Sequence, residues 1–299
     1  MKILLLGKNG QVGWELQRSL SLLGELIALD FDSTGPWRAD FSQPEALAPM
    51  IRAIAPDIIV NSAAHTAVDK AESEPDLARA INATAPGVIA REAAALGAWL
   101  VHYSTDYVFD GSGDEPRLED APTGPLSVYG RTKLEGEELI RASACKHLIF
   151  RTSWVYAARG GNFARTMLRL AAERDALNVI DDQIGAPTGA DLLADVTAHA
   201  LRCALTRPEL AGTYHCVAGG ATNWHDYARF VIEWARAQGR PVKVAADAVR
   251  PIPTSAYPTP AVRPLNSRLS TARLEAAFGV HLPQWQAGVE RLLIEVHNK

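Results

Sequence analysis

Residues 3–13 read Ile3-Leu4-Leu5-Leu6-Gly7-Lys8-Asn9-Gly10-Gln11-Val12-Gly13. Four apolar residues in a row are the pattern of a central parallel strand covered on both faces. Three glycines follow at spacing G-x-x-G-x-x-G, and a helical pattern carrying Leu16, Leu20 and Leu23 comes directly after. Glycine at these positions permits a tight turn, lets a pyrophosphate approach the backbone and lets the helix pack closely on the strand. Residues 25–29 read as the next strand, followed by Asp30, where an acid binds ribose hydroxyls. A glycine-rich turn of any α/β protein accounts for the first feature alone; strand, turn, helix, second strand and acid together indicate a dinucleotide site. The fold expected is α/β: a Rossmann-type doubly wound parallel sheet with a smaller mixed α/β C-terminal lobe for the substrate.

A chain of 299 residues is long enough for one such sheet and a lobe. Its net charge of −4, with no basic run, argues against nucleic acid or an anionic membrane surface as partner. Any phosphate must then be held locally, by backbone amides or a few arginines. Cys145, Cys203 and Cys216 form no ligand-spaced cluster and suit small buried positions in a reducing cytoplasm. The first apolar run is too short for a signal sequence, and no stretch approaches the ~20 apolar residues of a membrane span. A soluble cytoplasmic protein is expected.

The glycine spacing resembles that of the short-chain dehydrogenase/reductase superfamily, in particular its extended, nucleotide-sugar-modifying branch. Asp30, with Asp32 nearby and no arginine before Arg38, leans toward NADH over NADPH, because a carboxylate repels a 2′-phosphate. Asp40 suits an adenine amino group and Phe41 its ring; the other reading of this pair is a helix approach capped by Ser42, with Pro44 just inside. Residues 57–60 read as the third strand, and Ala63 and Ala64 beyond it allow close approach by a cofactor. His65 reads either as a base or as a loop contact. Residues 69–96 read as helical, and Asn82 within them suits either support of a buried carbonyl or a satisfied core amide.

Tyr129 and Lys133 stand four residues apart, on one face of a helix. A cation there is expected to lower the phenol's pKa, so that it exchanges a proton with a carbonyl or alcohol. Thr105, at the end of a fourth strand over 99–103, is the hydroxyl that aligns a reacting carbonyl, chosen over Ser104. The loop over 111–125 is expected to line the pocket, and Trp154 follows a fifth strand over 147–151, either stacking on a ligand or half-buried in packing. Arg263 and Arg268 are candidates for a diphosphate or are solvated surface arginines, and Asn266 lies between them. Residues 1–181, with 192–217 returning, are assigned to the dinucleotide unit; 182–191 and 218–299, with a proline-rich connector over 249–264, make the substrate lobe.

The chain closely resembles the dTDP-4-dehydrorhamnose reductases over nearly its whole length. The resemblance rests on GKNGQVGWELQ (7–17), NSAAHTAVDKAESEP (61–75), HYSTDYVFDG (102–111), VYGRTK (128–133), RTSWVY (151–156), DQIGAPTGADLLAD (182–195) and RPLNSRL (263–269). It implies reduction of a 4-keto dTDP-sugar by NADPH or NADH, the last step toward dTDP-L-rhamnose for a surface polysaccharide such as a lipopolysaccharide O-antigen. It implies Thr105, Tyr129 and Lys133 as catalytic residues. It places the cofactor against Gly10, Gln11, Val12, Asp30, Asp40, Phe41, Ala63, Ala64, His65 and Tyr103, and the substrate against Thr105, Asp106 and Trp154. It further implies a magnesium-linked homodimer through Glu15, Asp191 and Glu295, although the second position is glutamate in the family pattern. The rival readings are an epimerase or 4,6-dehydratase on the same fold, or a non-catalytic regulatory subunit like that of methionine adenosyltransferase. A dehydratase of this branch carries an Asp-Glu pair after its threonine, whereas Asp106 is followed by Tyr107.

Overall fold

The first apolar run becomes β1 (Lys2–Leu6), next to the edge of a six-stranded sheet. With β2 (Glu25–Leu29), β3 (Ile58–Asn61), β4 (Trp99–Thr105), β5 (Lys146–Thr152) and β6 (Gly212–His215), the order is β6-β5-β4-β3-β1-β2. Every neighbouring pair is parallel. From β1 the chain goes one way to β2 and then back to β3 on the other side. That reversal opens a crevice at the strands' C-terminal ends, between β1 and β3. The computed structural model describes residues 1–297, and among them no helix is long and apolar enough to cross a membrane.

Alternation along each strand sends side chains to two cores. Ile3, Leu5, Val60, Val101 and Phe150 pack under α1 (Gln11–Leu20) and α8 (Ala190–Thr206). Leu4, Leu6, Ile59, Leu100 and Ile149 face α2 (Leu47–Ile54), α5 (Ala85–Leu96) and, through Ile140, α6 (Val128–Ala142). The helical stretch expected over 69–96 is broken into α3 (Val68–Ser73), α4 (Pro75–Arg79), a π-turn (Ala80–Thr84) and α5. Pro75 starts a new helix, and Pro86 has no N–H for the carbonyl of Asn82, so the ladder widens by one residue there.

Residues before 181 also join a second core, apart from the large sheet. Strand Leu177–Ile180 does not extend the large sheet but pairs in parallel with Val249–Ile252, inside the proline-rich connector. Helix α7 (Phe163–Glu173) packs with α9 (Trp224–Ala237) and α11 (Trp285–His297) around Met167, Val179, Tyr227, Val231, Trp285 and Val289. Amphipathic α7 buries its apolar face against these helices rather than the sheet.

Candidate active site

The crevice at the switch point is a cleft of ≈950 Å³, at the upper end of the range for ligand sites. Gly7 turns the chain at φ +86°, and a Cβ there would sit 2.6 Å from the Ala63 nitrogen. A Cβ on Gly13 would overlap the Gly7 carbonyl, so this glycine packs helix on strand, as expected. Helix α1 starts at Gly10 with no side-chain cap, which leaves its first-turn N–H groups for an anion. Gly7, Gly10, Gln11, Val12, Asp30, Asp40, Phe41, Ala63 and Ala64 all line the cleft. Asp30 also ties down the glycine turn, accepting from Asn9 N at 3.0 Å, and Asn9 Nδ2 donates to Asp32 at 2.9 Å. These features fit the diphosphate and adenosine parts of a dinucleotide.

The far end of the cleft is lined by Thr105, Asp106, Tyr129, Lys133 and Trp154. Thr105 Oγ donates to Asp106 Oδ1 at 3.0 Å and accepts from Tyr107 N at 3.2 Å. Lys133 reaches in from α6, 2 % exposed, and its Nζ donates to the Tyr103 carbonyl at 2.6 Å. The expectation that this ammonium makes the Tyr129 phenol acidic does not hold. Burial pushes the phenol up to about 12, with Asp106 adding to the rise and Thr105 opposing it. Burial also brings Lys133 down to about 8, against the pull of Glu137. Desolvation is the largest cause in both cases, and for Lys133 it outweighs the neighbouring charge. The buried Asp106 is raised to about 6 by the same cause, although Thr105 donates to its Oδ1, and its Oδ2 has no partner.

Several expected contacts lie elsewhere. Tyr103 lines the cleft, but its phenol points to the opposite face of the sheet, 2.6 Å from Thr197 Oγ1, so its carbonyl is what serves Lys133. His65 does not line the cleft; its ring turns toward Glu74 at 3.5 Å, and its backbone is held at both ends by Asn82. Arg263 does not line the cleft; it grips Asp69 on α3 at 2.7 and 3.1 Å, clasping the two lobes. Asn266 is buried and bonds the carbonyl of Glu115 and the side chain of Arg268. The 111–125 loop lines none of the cleft, because it is pinned to this same late segment through Arg117 and Gly111. In each case a partner distant in sequence captures a polar group that looked free.

The acidic trio is gathered on one face but is not a ligand set. Burial, and then the charges of Asp191 and Glu295, raise the Glu15 carboxyl, which places the three near one another. Asp191, however, accepts from Leu192 N and faces Arg291 at 3.5 Å. Among the described residues no three His, Cys, Asp or Glu side chains are placed to hold a metal ion, so the residues present do not fit magnesium within one chain.

The lining residues that escaped the sequence reading include two aromatics. Phe31, 58 % exposed, stands beside Asp30 at the ribose end; an aromatic left in solvent next to the acid was the available signal. Trp224 opens α9 and stacks on Trp154, and nothing local marks it, since the two are brought together only by the docking of the lobes.

A family profile described as RmlD substrate binding domain matches residues 1–298. A dTDP-4-dehydrorhamnose reductase of Shigella flexneri is 60% identical over 296 residues, covering 99% of this chain and 98% of its own. A crystal structure of a dTDP-4-dehydrorhamnose reductase from Clostridium acetobutylicum superposes with TM-score 0.88 at 38% identity over 100% of both chains. One from Bacillus anthracis, in complex with NADP, gives 0.84 at 32% identity over 98% of this chain and 99% of that one. On this likeness and the shared architecture, the chain belongs to the dTDP-4-dehydrorhamnose reductase family.

Proposed function

We propose that this chain reduces the C4 ketone of dTDP-4-dehydro-β-L-rhamnose to the alcohol of dTDP-β-L-rhamnose, with NADH or NADPH as reductant. The observation that carries this reading is the convergence of Thr105, Tyr129 and Lys133 at one end of the cleft whose other end is the glycine turn. A bound reduced nicotinamide supplies the hydride. Tyr129 holds a proton on its phenol oxygen, at a pKa that keeps it there until an alkoxide develops nearby. Thr105 offers its hydroxyl to the ketone oxygen. Lys133 holds its nitrogen where ribose hydroxyls of the cofactor bind, anchored by the Tyr103 carbonyl. Asp106, with one oxygen unsatisfied, binds sugar hydroxyls, and Trp154 covers the sugar face.

The dehydratase alternative lacks its second carboxylate, because Tyr107 packs edge-on against Tyr129 at 5.5 Å in that place. Oxidation of the reduced cofactor, followed by absorbance with dTDP-4-keto-6-deoxy-L-sugar and with its UDP counterpart, tests the reading. Stoichiometric consumption supports it, whereas a redox-neutral change of the sugar points to an epimerase. The same reading takes the chain as one half of a cytoplasmic homodimer that uses the acidic face of Glu15, Asp191 and Glu295. Sedimentation with and without magnesium tests that assembly.

A further inference from the structure

Alternation along β4 sends Tyr103 toward α8 and His102 toward α6. His102 is wholly buried and is the cross-strand partner of Asn61 on β3. Its Nδ1 lies 3.1 Å from Asn61 Nδ2, and its Nε2 lies 3.1 Å from Lys133 Nζ. The far end of this row settles which way its protons point. Ala63 N–H donates to Asn61 Oδ1 at 3.1 Å, so the amide turns its NH2 group to the imidazole. An NH2 group only donates, so Nδ1 accepts and the neutral ring carries its one proton on Nε2. That N–H then faces Lys133. An ammonium has no lone pair to receive it. A neutral amine receives it and still donates one N–H to the Tyr103 carbonyl, with another left for the cleft.

We propose that Asn61 and His102 are positioning residues that aim a donor at Lys133 and so lower the pH at which this lysine releases its proton. Neither residue touches the cleft, and both act through the lysine. The other charged or titratable groups facing Lys133 are few. Glu137, one turn further along α6, favours the ammonium, but it is already paired with Arg151 of β5 and with Arg141. Tyr129 lies one turn back on α6, and Asp106 follows β4. The donor from His102 therefore acts in the same direction as burial. A lysine poised this way changes protonation state in the range where a reductase works, which a lysine at its ordinary pKa does not.

Nitrogen-15 NMR of the histidine-labelled, cofactor-free chain reads the tautomer directly, with His102→Gln identifying the resonance by its loss. A protonated Nε2 and bare Nδ1 are expected. Asn61→Asp keeps one oxygen for Ala63 N–H and offers the second to His102, which moves the ring proton to Nδ1 and lets Nε2 accept from the ammonium. In that variant the tautomer should reverse, and the alkaline limb of kcat/KM for ketone reduction should move up by about one pH unit. A protonated Nδ1 in the unaltered chain overturns the proposal, whether or not the variant folds. So does an alkaline limb that stays in place, or one that moves while Nε2 keeps its proton. The rate measurement rests on the reductase reading and the NMR does not. A chain inactive on every dTDP-keto sugar but protonated at Nε2 would defeat the function and support the tautomer.

Discussion

Trp224 stacks on Trp154 with ring centroids 3.6 Å apart and planes 17° from parallel. Trp154 stands at φ +48°, a region that side chains other than glycine enter at a cost of about 1–3 kcal/mol. It is held there between Trp224 and Gly185, where a Cβ would come within 2.8 Å of the Trp154 indole. Trp224 is itself fixed by a bond from its Nε1 to Gln183 at 3.0 Å. An aromatic pair of this kind contributes about 0.5–1.5 kcal/mol. Trp224→Ala should therefore raise KM for the dTDP-sugar by roughly 3- to 10-fold, with KM for the cofactor unchanged. Steady-state kinetics with each substrate varied in turn decides this, and an unmoved sugar KM would detach the pair from the substrate.

Tyr129→Phe removes the proton donor but leaves the cleft's shape. A loss of ~10²–10⁴-fold in kcat is expected, with cofactor affinity retained in a fluorescence titration. Near-normal kcat would take Tyr129 out of the chemistry.

Asp106 carries a pH signature of its own. Burial raises its carboxyl to about 6, so the folded chain binds a proton that the unfolded chain has already released between pH ~4 and ~6. Stability attributable to this residue is present at low pH and is lost as pH rises through that window. Asp106→Asn should accordingly stabilise the fold at pH 7.5 by roughly 1–3 kcal/mol, with little gain at pH 4, while weakening sugar binding. Denaturant unfolding at the two pH values checks the sign.

Glu137 and Arg151 show the opposite case. Burial pushes the Glu137 carboxyl up, but two bonds from Arg151 at 2.7 and 2.9 Å, with its charge and a bond from Arg141, hold it below the ordinary range. Its stabilising effect is present above the unfolded pKa and is lost as pH falls through the lower folded value. Glu137→Gln strands a buried guanidinium and should destabilise by about 3–5 kcal/mol at neutral pH, with the gap narrowing in acid. Thermal melts across pH would show it, and an equal loss at all pH values would contradict the pairing.

Asp30 faces the ribose end of the cleft with Asp32 behind it. Asp30→Asn preserves the acceptor for Asn9 N–H and removes the charge. The ratio of kcat/KM for NADPH to that for NADH should rise roughly tenfold. A ratio that does not change would place cofactor choice elsewhere.

The glycine turn, Asp30, the strand ends and the Thr105, Tyr129 and Lys133 positions were legible in the chain itself. Their chemistry is set by local backbone geometry and short spacings, a turn that only glycine makes and one helical step between two side chains. Tertiary structure alone decided how those groups behave. Desolvation depends on everything packed around a residue, so Tyr129 is a weaker acid than its neighbouring lysine suggests. Arg263, Asn266 and His65 are captured by partners far away in the chain. The stacking of Trp154 on Trp224, and the proton row from Ala63 through Asn61 and His102 to Lys133, exist only once two lobes dock and two strands align in register.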